Sequence, residues 1–162
     1  MNAAGFPVLT LVTFLPLVGA AIILSVRGDE ETVARNARWT ALWASLLTLA
    51  ISLVLWARFD TSTADFQFVE RADWLPEYGV GYHMGVDGIS VLFILLSTLL
   101  TPICILASWE SVQTRVREYM VAFLVLESMM VGMFAALDFV LFYIFFEAVL
   151  IPMFLIIGVW GG

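Results

Sequence analysis

The chain has 162 residues, 62% of them apolar and 13% charged, with a mean hydropathy of +1.01. A soluble domain is nearer half apolar and about a quarter charged, so this is an integral membrane protein. Seven arginines, no lysine and fourteen acidic residues leave a net charge of −7, which excludes a basic nucleic-acid-binding surface.

The apolar runs are continuous and about twenty residues long, the length a helix needs to cross a bilayer. Barrel strands would be shorter and would alternate. The sequence predicts an all-α membrane protein, a single domain over residues 1–162, with five transmembrane helices. The first span is predicted at about 6–26. No basic segment or small-residue cleavage site accompanies it, so it reads as a span and not a signal peptide. Pro7 suits a helix start, and the internal Pro16 frees the carbonyl of Val12. Arg27–Arg38 reads as a short polar loop, and the second span follows at about 39–57.

The connection Arg58–Gly88 is longer and acidic. Phe66–Glu70 partly alternates, and Pro76, Gly79, Gly81 and Gly85 punctuate the rest. A hairpin of short strands over the helix ends is predicted, on the extracytoplasmic side. His83 is the only histidine, and one histidine does not make a metal site. Asp87 suits the N-cap of the third span, predicted at about 89–109 with internal Pro102. The single cysteine, Cys104, reads as a small buried hydrophobe. It excludes a disulfide or a cysteine-based metal site within the chain.

A polar loop, Glu110–Glu118, leads to the fourth span, about 119–137, and the fifth, about 139–160. Together these form one apolar stretch too long for a single crossing, so a tight turn is required near Asp138, a turn or cap residue. Gly132 and Ala136 have the small-xxx-small spacing of close helix contacts. Trp39, Trp43, Trp56, Trp109 and Trp160 lie near span ends, as interfacial anchors do. The first and third loops hold five arginines and the second and fourth hold two. That bias places the former in the cytoplasm and the N-terminus outside. The last residues, Gly158–Gly162, follow the fifth span without a closing tail, and a longer natural chain is expected.

Glu127 and Glu147 carry the chemistry. An acidic residue at the centre of a membrane helix costs about 2.5–3.5 kcal/mol on insertion scales, so such groups are functional candidates by default. Measured from Asp138 at ~1.5 Å per residue, the two lie roughly 16 and 14 Å below the turn, close to the midplane. A carboxyl poised between desolvation and a nearby cation can take and release a proton near neutral pH. Both are read as buried proton-relay residues, against the alternative that each only fixes packing. Tyr143, one turn before Glu147, could donate to it, or pack with its tip polar. No nucleotide, haem or redox-cofactor motif is present, so any electrons run elsewhere.

The runs GVDGISVLFILLSTLLTPICILASWE (Gly85–Glu110) and FFEAVLIPMFLIIGVWGG (Phe145–Gly162) resemble the subunit M family of NADH:quinone oxidoreductase, respiratory complex I. Its mitochondrial members are NADH dehydrogenase subunit four. DGIS is shared with sister antiporter-like subunits and with multisubunit cation/proton antiporters; TPICILASW and FEAVLIPM look like subunit M. The resemblance implies about fourteen membrane helices with inverted repeats and broken helices. It implies a role for Glu147 as a relay residue paired with a lysine on a later helix, and for Glu127 as a second site. This chain would cover the N-terminal third. The implied function is proton translocation in the membrane arm, in the bacterial inner membrane, beside sister subunits and lipid. FMN, iron–sulfur clusters and quinone would lie on other subunits. A cation/proton antiporter subunit and a structural membrane spacer are the alternatives.

Overall fold

The computed structural model describes residues 8–59, 67–75 and 80–160, with residues 71–75 and 80 described by backbone alone. Phe6, Pro7, Phe66, Pro76 and Gly79 lie outside the described residues. Among the described residues there are five helices long and apolar enough to cross a membrane. They are α1 (Val8–Ser25), α2 (Glu30–Ala57), α3 (Gly88–Ala107), α4 (Val116–Ala135) and α5 (Phe139–Trp160). Between α2 and α3 lie two strands, β1 (Gln67–Leu75) and β2 (Val80–Val86).

The polar stretch predicted as the first loop is mostly helix: α2 begins at Glu30 and not near Trp39. The Asp29 carboxylate caps it by accepting from the Thr32 N–H at 3.1 Å. Glu30 and Glu31 sit in its first turn, where acidic side chains suit the positive end of the helix dipole. Polarity here marks a helix that runs past the membrane, and the true connection is only residues 26–29. Asp87 caps α3 as predicted, accepting from the Ser90 N–H at 2.8 Å. Pro16, Pro102 and Pro152 lie inside α1, α3 and α5 and are buried.

The strands pair antiparallel, with Glu70 opposite Met84 and Arg71 opposite His83. A bulge between Gln67 and Glu70 puts Phe68 in the left-handed region at φ 56°. Such strain costs about 1–3 kcal/mol. The Phe68 side chain is fully buried, and burying a large apolar side chain stabilises by about 1.5–3 kcal/mol, so the two nearly offset. The hairpin covers one end of the bundle and is pinned there by hydrogen bonds. Glu70 accepts from the Leu9 N–H at 2.8 Å and from the Thr10 hydroxyl, at the start of α1. His83 accepts from the Leu137 N–H at 2.8 Å, and Asp138 from the Gly81 N–H at 3.1 Å.

Four helices, α1 to α4, form the body, and each repeats one pattern along its length. An apolar cluster at the hairpin end takes Val8 and Val12 from α1, Leu55 from α2, Ile94 from α3 and Val131 from α4. A second cluster at the opposite end takes Ile23, Ala41, Ile105 and Met120 from the same helices. Between the clusters every helix contributes buried polar side chains: Thr13; Ser45, Thr48 and Ser52; Ser97, Thr98 and Thr101; Glu127 and Ser128. The bundle is apolar at both ends and polar at its waist. α5 lies outside it, packed chiefly on α4. Gly132 makes that contact close, since a Cβ there would meet the Phe145 ring at 2.5–2.7 Å.

Candidate functional site

Most of the waist hydroxyls satisfy themselves locally. Ser45 donates to the Leu42 carbonyl at 2.9 Å, Thr48 to Ala44 at 2.8 Å, Ser97 to Phe93 at 3.0 Å and Thr101 to Ser97 at 2.9 Å. Such back-bonding is how a Ser or Thr sits within a helix. The Ser52 and Thr98 hydroxyls pair across helices, 2.9 Å apart. The pair is placed where Pro102 leaves the Thr98 carbonyl without its helical N–H.

Glu127 is different. The residue is 2% exposed, and among the described residues neither carboxyl oxygen has a hydrogen-bond partner. The Thr101 hydroxyl faces it across the α3–α4 seam and donates its proton to the Ser97 carbonyl. The Thr13 and Ser128 hydroxyls are likewise buried and unpartnered. A buried polar group left unpaired costs about 1–3 kcal/mol. It lines a cleft of about 310 Å³ between α3 and α4, with Ser97, Thr101 and Cys104 as the other polar side chains and aromatic and aliphatic residues making up the rest.

Glu147 does not join it. Each carboxyl lies eight residues from the helix end beside the turn, about 12 Å along its axis, so their depths match as predicted. Their directions do not. Glu127 points into the α3–α4 cleft, whereas Glu147 is exposed on the outer face of α5. The expectation that both are buried fails for Glu147 among the described residues. α5 uses Leu141, Phe145, Val149 and Pro152 to pack inward, and Glu147 falls off that stripe. There it lies with Tyr143, Ile144, Ile151 and Phe154 along an open apolar groove. No hydrogen bond joins Tyr143 to Glu147 among the described residues.

Asp138 is a cap and a clamp. Its Oδ1 accepts from the Val140 and Leu141 N–H groups at 2.9 and 3.1 Å, closing the start of α5. His83 contributes its backbone carbonyl to the α4–α5 turn. Sequence reasoning missed the hydroxyls of the waist. The available signal was Ser and Thr recurring at three- and four-residue spacing in three spans, at matching distances from their ends.

The family model described as NADH-ubiquinone oxidoreductase chain 4, amino terminus, matches residues 32–136. A NADH-quinone oxidoreductase subunit M of Rhodobacter capsulatus is 55% identical over 155 residues, covering 95% of this chain and 30% of that protein. A NADH-ubiquinone oxidoreductase chain 4 of Chondrus crispus is 48% identical over 162 residues, covering 100% of this chain and 32% of that protein. Among solved structures, a chain of respiratory complex I from Thermus thermophilus with bound NADH matches with a TM-score of 0.74 at 30% identity. That match covers 93% of this chain and 29% of the other. The chain thus spans about a third of the length of the relatives it matches.

Proposed function

Since the chain belongs to the NADH-ubiquinone oxidoreductase chain 4 family, we propose that it works in the membrane arm of a NADH:quinone oxidoreductase, respiratory complex I, as part of a proton-translocating subunit. The observation that carries this reading is the Glu127 carboxyl, buried at mid-span with both oxygens unpartnered. A group with no structural partner is free to change its protonation, and its burial makes each change sensitive to charge nearby. Glu127 and Glu147 each hold a proton at mid-membrane and pass it on when a neighbouring charge shifts. Glu147 stands on an apolar outer face, where lipid contact would cost about 2.5–3.5 kcal/mol. A basic side chain from outside the described residues covers and pairs with it. Oxidation of NADH and reduction of quinone, with FMN and iron–sulfur clusters, belong to other subunits. The loops rich in arginine face the cytoplasm of a bacterial inner membrane, and the N-terminus and hairpin lie outside.

The test is proton pumping driven by NADH and dependent on quinone, in the assembled complex carrying Glu127→Gln or Glu147→Gln. Assembly is checked on a native gel. Both variants are expected to assemble and to lose coupled pumping, Glu147→Gln most completely. Pumping near wild type in both would leave the chain a structural spacer. A sodium-dependent exchange insensitive to NADH would make it a cation/proton antiporter subunit.

A further inference from the structure

An open groove of about 670 Å³ runs between α1 and α2 on the outer face of the bundle. Small residues make its floor: a Cβ on Gly19 would meet the Ala44 Cβ at 2.6 Å. Val18 and Ile22 of α1 stand on one side and Trp39 and Trp43 of α2 on the other. All four are exposed, Trp43 to 64%. The groove covers half a membrane. It stops at Leu15 and Leu47, near mid-span and beside the polar waist. At its other end it reaches Val26 and Asn36, on the side of the bundle that bears the arginines. Asn36 to Leu47 is about 16 Å of helix, close to one leaflet of a ~30 Å hydrocarbon core. A transmembrane partner helix calls for a seam twice as long. An acyl chain, anchored at the surface and ending at the midplane, fits this one.

The mouth has the groups a headgroup needs. Arg27 directly follows Val26, and Arg35 stands one turn above Trp39 on the same row of α2. Both are exposed, and among the described residues neither is in an ion pair. Their long stems let the charges reach the level of lipid headgroups, and the two tryptophans suit that interface. The nearby acidic residues are placed otherwise. Asp29 lies within the field of Arg35, but its carboxylate caps α2 through the Thr32 N–H. Glu30 lines a separate cavity with Arg115 and Arg117, and Glu31 lies a further turn out from Arg35. A zwitterionic headgroup would bring its own cation towards two free guanidiniums. An anionic one brings only the phosphate.

We propose that the α1–α2 groove is a binding site for an anionic phospholipid of the leaflet on the arginine-bearing side: one acyl chain lies on the Gly19–Ala44 floor and the phosphate pairs with Arg27 and Arg35. The site does not depend on the roles of Glu127 and Glu147.

The test uses the whole complex, reconstituted in phosphatidylcholine bilayers with a trace of phosphatidylglycerol that carries a photoreactive diazirine in one acyl chain. Cross-linked residues are read by peptide mass spectrometry, and the same trace of diazirine phosphatidylcholine gives the reference. Labelling within residues 15–26 and 36–47 is expected to favour phosphatidylglycerol and to be competed by the unlabelled lipid. An arginine near an anionic headgroup contributes a roughly fivefold preference. Arg27→Gln together with Arg35→Gln should therefore cut the preference roughly tenfold or more. Val18→Trp, a change at an exposed position, should fill the groove and reduce labelling of residues 36–47 by both lipids. Equal labelling by the two lipids would leave only ordinary bilayer lipid in the groove and overturn the proposal. So would a preference unmoved by the arginine pair, or the absence of lipid label from both segments because protein covers the face. The comparison of the two lipids on the unaltered complex decides the matter even if a variant fails to assemble.

Discussion

At the scale of the residue, Asp138 ties three backbone groups with one carboxylate. The Leu141 N–H, then Gly81 and Val140, hold its carboxyl below the usual carboxylate range, and the His83 charge adds to this. A carboxylate whose pKa falls on folding stabilises the fold above its unfolded pKa, about 3.9. That contribution is lost as pH drops through the lower, folded value. Hydrogen exchange at Gly81 and Leu141 should therefore stay slow down to the ordinary carboxylate range and quicken only below it. Asp138→Ala should quicken both at neutral pH. Unchanged exchange in that variant would mean the turn holds without its cap. Gly132 is the second sensitive residue. A Cβ there would overlap the Phe145 ring, and that ring is buried in the α4–α5 contact. Gly132→Ala should destabilise by about 1–3 kcal/mol, the usual cost of overpacking. Thermal unfolding of the full-length subunit in detergent measures it. Adding Phe145→Leu should return part of the loss, and a variant as stable as wild type would show that α5 can shift freely.

At the scale of the element, what was legible followed apolar length. The five spans, the turn at Asp138 and the cap at Asp87 were all readable, because a bilayer imposes continuous runs and a turn between two of them. The start of α2 was not. Six of its first nine residues are polar, and polarity says only that a segment leaves the membrane, not that it leaves the helix. The rotation of α4 and α5 was not legible either. Both helices are apolar nearly all round, so no amphipathic stripe in the sequence tells which way Glu127 or Glu147 points. Only packing, through Gly132 against Phe145, decides it. The hairpin's role as a cap was equally hidden, since it depends on pairing Glu70 with a helix some sixty residues away. Because Glu70 takes the Thr10 proton, the Tyr82 hydroxyl, 2.7 Å from Thr10, must be the donor in that pair. Burial first, and the Glu70 charge next, push the Tyr82 phenol up, so it keeps the proton it donates. Glu70→Ala should fray the first turn of α1, seen as faster hydrogen exchange at Leu9 and Thr10. Glu70→Gln, which keeps an acceptor, should fray it less. Equal exchange in both would mean the α1 terminus is held by its apolar contacts alone.

At the scale of the whole molecule, the body is two apolar clusters with a polar waist between them, and α5 set beside it as a separate layer. Burial accounts for the clusters without appeal to function. It does not account for the waist, where a carboxyl and two hydroxyls stand unpartnered. Natural sequences depart from good packing mainly where something other than stability is selected. Glu147 departs in another way, as a carboxyl side chain on an apolar face. One group is thus enclosed by the four-helix body and the other lies on the outer face of α5.

The waist also bears on alignment. In a bundle of nearly uniform aliphatic helices, one helix can slide past another by a turn, about 5.4 Å, at little cost in apolar contact. Here such a slide would move Ser52 away from Thr98 and carry Glu127 out of its cleft into an aliphatic cluster. The waist therefore serves as an index mark common to four helices. It makes the depth of the carboxyl in the bilayer a property of the whole bundle, kept even where the ends are free to drift.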